Sequence, residues 1–205
     1  MTKLKILIEK NISGYIYNLI PDFIELIRNK QIEIYNEASI QFELAIFLRS
    51  KLPPSYKIQL ERNITCFNKK INKTNFEKKE IDLVIFTEDK GLFKNKLAIE
   101  LKYPINGQYP EQMFSFAKDL KFLEQLTKEG YKENLFIVFA DDPNFWGSEG
   151  KKGSIYYWFR KKKEFITRIK KPTGKKDKVI CLKQNYKIDW KLIKNNLKYF
   201  VIKVK

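Results

Sequence analysis

Residues 81–103 read IDLVIFTEDKGLFKNKLAIELKY, two short apolar runs joined through Glu88-Asp89-Lys90-Gly91. Ile81 to Thr87 and Leu97 to Tyr103 are the length of strands, and the acidic, glycine-containing join predicts an antiparallel hairpin. With the turn centred on Gly91, Asp82 falls opposite Glu100, each nine residues from it. Residues directly opposed in such a pair bring their Cβ atoms within about 4.5–5.5 Å. Glu100 and Lys102 are two apart and so share a face of their strand. Two carboxylates and an ammonium therefore converge on one face of the hairpin.

The neighbours of these residues make them unusual. Asp82 lies between Ile81 and Leu83, and Glu100 lies in Leu97-Ala98-Ile99-Glu100-Leu101. Acids in apolar strands cost desolvation energy unless paired or metal-bound. Two adjacent carboxylates also repel, and a divalent cation relieves that repulsion. Oxygen-only ligands favour Mg²⁺, with Mn²⁺ as a substitute. The Asp/Glu-x-Lys triplet alone is common here, with six starts at Glu77, Glu88, Glu100, Asp119, Glu149 and Asp189. Glu77, Glu88 and Glu149 fall in polar loops and Asp119 on a helix, while Asp189 has no opposed acid. Glu100 combines a strand, an apolar setting and an opposed acid. The other reading of the same residues is an ion-pair ladder across a hairpin.

Outward from the hairpin, Pro21-Asp22 predicts the start of a short helix, Phe23 to Arg28. A stronger helix is predicted from Asn36, as its N-cap, to Lys51, stopped by Pro53-Pro54. Tyr56 to Cys66 alternates apolar and polar residues, as a half-buried strand does, and Asn68 to Lys79 reads as a polar loop. Pro110 starts a helix to about Lys128, with Gly130 beyond it. Leu135 to Ala140 is nearly all apolar, the mark of a strand covered on both faces. Asp141-Asp142-Pro143 is a turn. A strand is predicted at Ile155 to Phe159, then a basic loop, then further strand or helix pieces through Val204. The resulting class is α/β (α+β), a mixed sheet flanked by helices in the order α-β-β-β-α-β with C-terminal strands. One domain is expected, with a core at about 36–140 and a basic extension at about 151–205.

Composition narrows the chemistry. The chain of 205 residues holds no histidine. That excludes Ser-His-Asp and Cys-His nucleophile pairs, a histidine base and His-ligated zinc. Cys66 and Cys181 stand far apart and are expected as free thiols. No stretch approaches the roughly 18 apolar residues of a membrane span, and no signal peptide is read at the N-terminus, so a cytoplasmic protein with no membrane partner is expected. The formal charge is +17, and residues 151–178 carry 12 Lys or Arg against 2 acids, or +10 of it. Such clustering predicts a polyanionic partner. Arg160, Lys161, Lys162, Lys163, Lys170, Lys171, Lys175 and Lys176 are the expected phosphate contacts. Tyr156 to Phe159, just before them, are read as core aromatics before a solvated loop.

The stretch from about Asn36 to Ala140 resembles the PD-(D/E)XK nuclease superfamily, which includes restriction endonucleases and many repair and phage nucleases. The resemblance rests on the leading helix, three antiparallel strands bearing Asp82 and Glu100-Leu101-Lys102, then a helix and a further strand. Ile81 stands where that family usually has proline. The resemblance implies a restriction-endonuclease-like core and a Mg²⁺-dependent DNA endonuclease with a restriction or defence role. Asp82 and Glu100 would hold the metal, and Lys102 would orient or help deprotonate the attacking water. Many members place a glutamate of the leading helix at the site. Glu37 fits, lying in the stripe of Leu44, Leu48 and Leu52, with Glu43 as second choice; a first-turn acid favoured by the helix dipole is the other reading of Glu37. Gln112 resembles the glutamine that RecB-like members carry, with Phe116 in place of the usual tyrosine. The alternative function is a nucleic-acid-binding protein that does not cut. DNA is expected over RNA, and an enzyme that cuts both strands often works as a homodimer.

Overall fold

The structure, a computed structural model, describes residue 8 and residues 11–105, 107–131, 133–148, 150–160, 167–174 and 178–205. Two helices open the chain, α1 (Ile12–Arg28) and α2 (Glu37–Lys51). Three strands follow, β1 (Tyr56–Asn63), β2 (Glu80–Asp89) and β3 (Leu92–Lys102), then α3 (Tyr109–Thr127) and β4 (Asn134–Ala140). The remainder is a short helix α4 (Ile155–Arg160), a small hairpin of β5 (Arg168–Lys170) and β6 (Val179–Cys181), and β7 (Lys191–Lys194) with β8 (Leu197–Val204). No helix among the described residues is long and apolar enough to cross a membrane.

Six strands form one mixed sheet in the order β1-β2-β3-β4-β8-β7, with β3 and β4 parallel and every other pair antiparallel. Alternation along the strands divides the core. Val84, Phe86, Ala98, Phe136 and Val138 face α3, while Leu83, Ile85, Leu97, Ile99 and Ile137 face α1 and α2. Every residue of β4 is buried, as its apolar run requires of a strand covered on both sides.

The hairpin of β2 and β3 turns more tightly than its sequence suggests. Its turn is the two-residue loop Lys90-Gly91, both at positive φ (49° and 77°), between the pair Asp89 and Leu92. A turn centred there would set Asp82 against Ile99. A bulge at Asn95-Lys96, with Asn95 at φ 51°, adds one residue to β3 and moves the register to Leu83–Ile99. Carried one step further, that register sets Asp82 against Glu100. The expected pairing therefore arises from a tighter turn plus a bulge.

Three elements differ from expectation. α1 begins after the Asn11 cap and runs through Pro21. Its stripe Ile16, Ile20, Phe23, Ile24 and Ile27 is buried on both sides of the proline, and that packing outweighs the roughly 3 kcal/mol an interior proline costs. β1 stops at Asn63, and Ile64–Cys66 turn into a single 3-10 turn. Residues 155–159 are helical, because Ile155 and Phe159, four apart, are the buried pair and the aromatics between them are partly exposed. Phe159 packs on Phe116 of α3, as expected of a core aromatic.

Candidate active site

The site lies beneath α3 where β2 and β3 part from each other, β2 staying paired with β1 and β3 with β4. The last regular pair is Leu83–Ile99, and side chains then take over from the strand ladder. Leu101 donates its backbone N–H to Asp82 Oδ2 at 2.8 Å, and Asp82 donates its own to Glu100 Oε1 at 3.3 Å. Glu100 is fully buried and Asp82 is 4% exposed. The backbone thus holds both carboxylates inside an apolar frame.

Two residues outside the expected set complete the cluster. The Lys78 ammonium donates to Asp82 Oδ1 at 3.0 Å and to Glu100 Oε2, and Asp119 Oδ1 lies 3.6 Å from it. Asp119 projects from α3 and is 2% exposed. Its Oδ2 lies 3.6 Å from the Lys102 ammonium and accepts no hydrogen bond. Lys102 donates to Glu37 Oε1 at 2.9 Å and to the Leu101 carbonyl at 3.0 Å. Glu37 is the first residue of α2, fixed there by the reciprocal Asn36–Ser39 cap.

Asp82, Glu100, Lys102 and Glu37 are therefore brought together, with Lys78 and Asp119 added. Glu37 rather than Glu43 is the residue of α2 bonded to the cluster. Gln112, two turns before Asp119 on α3, has no side-chain bond to it; Asp119 is the residue this helix contributes. Lys78 lies in the segment read as a polar loop. Asp119 was legible in principle, because it sits inside the apolar stripe of Met113, Phe116, Leu120 and Leu123.

Burial and mutual charge set the protonation. Burial, reinforced by the Asp82 charge, pushes the Glu100 carboxyl well above its ordinary range, against the pull of Lys78. Asp119 is raised by burial too, with Lys102 and Lys78 opposing. Glu37 is raised by burial, opposed by Lys102. Burial alone would lower both lysines. Glu100, Asp119 and Asp82 overcome it at Lys78, and Asp119, Asp82 and Glu37 overcome it at Lys102, so both stay above the ordinary lysine value. Lys102 is consequently an ammonium at neutral pH, suited to orienting and electrostatic work and unsuited to removing a proton.

The cluster opens on a cleft of about 480 Å³ lined by Glu37, Glu61, Glu77, Glu80 and Asp82 with Lys78 and Lys79. Five carboxylates against two lysines make this mouth locally acidic in a strongly basic chain, which favours cations. The donor chemistry suits a hard divalent cation: oxygen ligands only, two carboxylates already sharing one cationic centre, and a buried Asp119 oxygen without a hydrogen bond. Among the described residues, no group of three or more carboxylates or thiols is arranged to hold a metal ion.

The expected phosphate contacts divide. Arg160 donates from Nε to the Asn144 carbonyl at 2.9 Å and from Nη1 to the Ser148 carbonyl at 3.2 Å, and it stacks over Tyr156. Its guanidinium thus holds the turn after β4. Lys170 is exposed, and Lys171 lines a groove with Lys118 and Lys178 between α3 and the β5–β6 hairpin. Lys161, Lys162, Lys163, Lys175 and Lys176 lie outside the described residues. Asp142 accepts from the Tyr109 hydroxyl at 2.6 Å and caps the turn at Asn144, a structural task.

No family model matches this chain, and no curated protein or solved structure does.

Proposed function

We propose that this chain hydrolyses phosphodiester bonds in nucleic acid, DNA before RNA, with a divalent cation held by Asp82 and Glu100. On this reading α2 to β4 form a PD-(D/E)XK-like core, and the chain is an endonuclease. A restriction or defence role, and homodimeric cutting of both strands, follow only from that resemblance. The observation that carries the reading is the convergence of Asp82 Oδ1 and Glu100 Oε2 on one cationic centre, with Asp119 and Lys102 beside it.

Mg²⁺, or Mn²⁺ in its place, supplies charge relief at the phosphate and a lowered pKa for bound water. The chain's own residues do the rest. The Leu101 and Asp82 N–H groups fix the two carboxylates. Asp119 holds the lysines in place from α3. Lys102, kept protonated, orients water and adds positive charge where the phosphate gains negative charge. Glu37 anchors Lys102 at the cleft rim. On this reading Lys118 and Lys171, in the groove between α3 and the β5–β6 hairpin, would meet backbone phosphates, while Lys178 of the same groove is paired with Glu77 at 3.1 Å.

A second reading has one observation in its favour: the Lys78 ammonium fills the shared centre, as suits a nucleic-acid-binding protein that does not cut. Incubation with supercoiled, linear and single-stranded substrates, in Mg²⁺ or EDTA, separates the two. Metal-dependent cutting supports the enzyme; binding without cutting under every condition supports the alternative.

A further inference from the structure

We infer that Lys78 is a built-in competitor for the divalent cation, its ammonium and the metal taking the same place between Asp82 Oδ1 and Glu100 Oε2. This rests on the proposed cation site and adds to it a means of control. The ammonium touches both of those oxygens and stands 3.6 Å from Asp119 Oδ1, so three carboxylates surround one monovalent charge. A divalent ion in that place doubles the compensating charge. The second Asp119 oxygen, buried and without a hydrogen bond, faces the Lys102 ammonium at 3.6 Å, so Asp119 divides its charge between the two lysines.

The chain also allows the exchange. Asp82 and Glu100 are fixed by strand geometry and by backbone N–H groups. Lys78 instead precedes β2 in an irregular segment, and its side chain is 24% exposed against 0% for Glu100. Its long, flexible stem can swing into the acidic cleft without disturbing the sheet. Lys102 faces Glu37 and Asp119 and is not bonded to Asp82 or Glu100, so it does not compete for the same place. The site therefore binds cation weakly until Lys78 leaves, and removing the ammonium frees a tighter one.

The test is a Mn²⁺ titration of the full chain, followed by the paramagnetic resonance of free Mn²⁺. It uses the wild type, Lys78→Met, Lys78→Gln and Lys78→Met combined with Asp82→Asn. The expected result is at least about tenfold tighter binding in both single variants, a gain of roughly 1.4 kcal/mol, lost again in the double variant. Thermal melting gives a second readout. Each single variant should melt below the wild type in EDTA, because buried carboxylates lose their counter-ion, and should gain more from Mn²⁺ than the wild type does. Equal or weaker binding by the Lys78 variants overturns the competition while leaving the cation site standing. No Mn²⁺ binding by any form overturns both. If Lys78→Met does not fold, Lys78→Gln decides by the same criteria.

Discussion

Leu101 donates its backbone N–H to Asp82 Oδ2 at 2.8 Å, so the aspartate side chain serves as a strand acceptor just where regular pairing ends. Asparagine can supply the same oxygen without the charge, and alanine can supply neither. Asp82→Asn therefore keeps the Leu101 bond but turns an amide nitrogen towards the Lys78 ammonium, so it should melt below the wild type in urea while losing Mn²⁺ affinity. Asp82→Ala should lose a further 1–3 kcal/mol, roughly, for the unpaired buried amide. Equal stability of the two variants would count against this role of the carboxylate.

Asn95 sets the register that brings the acids together. Its φ of 51° is left-handed, a conformation that costs an ordinary side chain about 1–2 kcal/mol and a β-branched one no less. Asn95→Gly is expected to fold as stably as the wild type, to within a few tenths of a kcal/mol or so. Asn95→Val should lose about 1–2 kcal/mol in the same melt. A stable Asn95→Val protein would mean that the bulge is not what fixes the Asp82–Glu100 pairing.

Much of the scaffold is written in local pattern. α2, α3, β2, β3 and β4 follow from periodicity, caps and the apolar run at Leu135 to Ala140. The failures have physical causes. The run Ile155 to Phe159 is apolar at every position, so neither period is visible until Ile155 and Phe159 find the core. Pro21 looks like a helix start because the packing that carries α1 through it is tertiary. Lys78 could not be told from its lysine-rich neighbours, since nothing local directs that side chain to Glu100, 22 residues away. Asp119 was the readable omission, a charge within an apolar helical stripe.

The basic surface gives a separate expectation. Lys118→Ala and Lys171→Ala should each lower the salt dependence of DNA binding by about one unit of slope. Arg160→Ala should leave that slope unchanged and lower the melting temperature, because its guanidinium is engaged with the Asn144 and Ser148 carbonyls. Fluorescence anisotropy at several salt concentrations checks both. A reduced slope for Arg160→Ala would return that residue to the interface.

Tyr103 offers a pH signature. Burial and the neighbouring Asp141, whose Oδ2 accepts from its hydroxyl at 3.3 Å, push this phenol up from 10.0 to about 12. A raised folded-state value means that the folded chain holds the proton more tightly than the unfolded one. The stabilisation is complete below pH 10 and is lost as pH rises towards 12. Tyr103→Phe lacks this loss, so the stability advantage of the wild type over the variant should shrink across that window in chemical denaturation. A constant difference would contradict the shift.

The most direct test of the central claim is conversion of supercoiled plasmid in Mg²⁺, by the wild type and by Lys102→Ala. The account predicts nicked or linear product from the wild type, none in EDTA, and a rate lowered by about 10²–10³ in the variant, the usual loss on removing one preorganised charge. Cutting that persists in EDTA, cutting undiminished in Lys102→Ala, or no cutting by the wild type would contradict it.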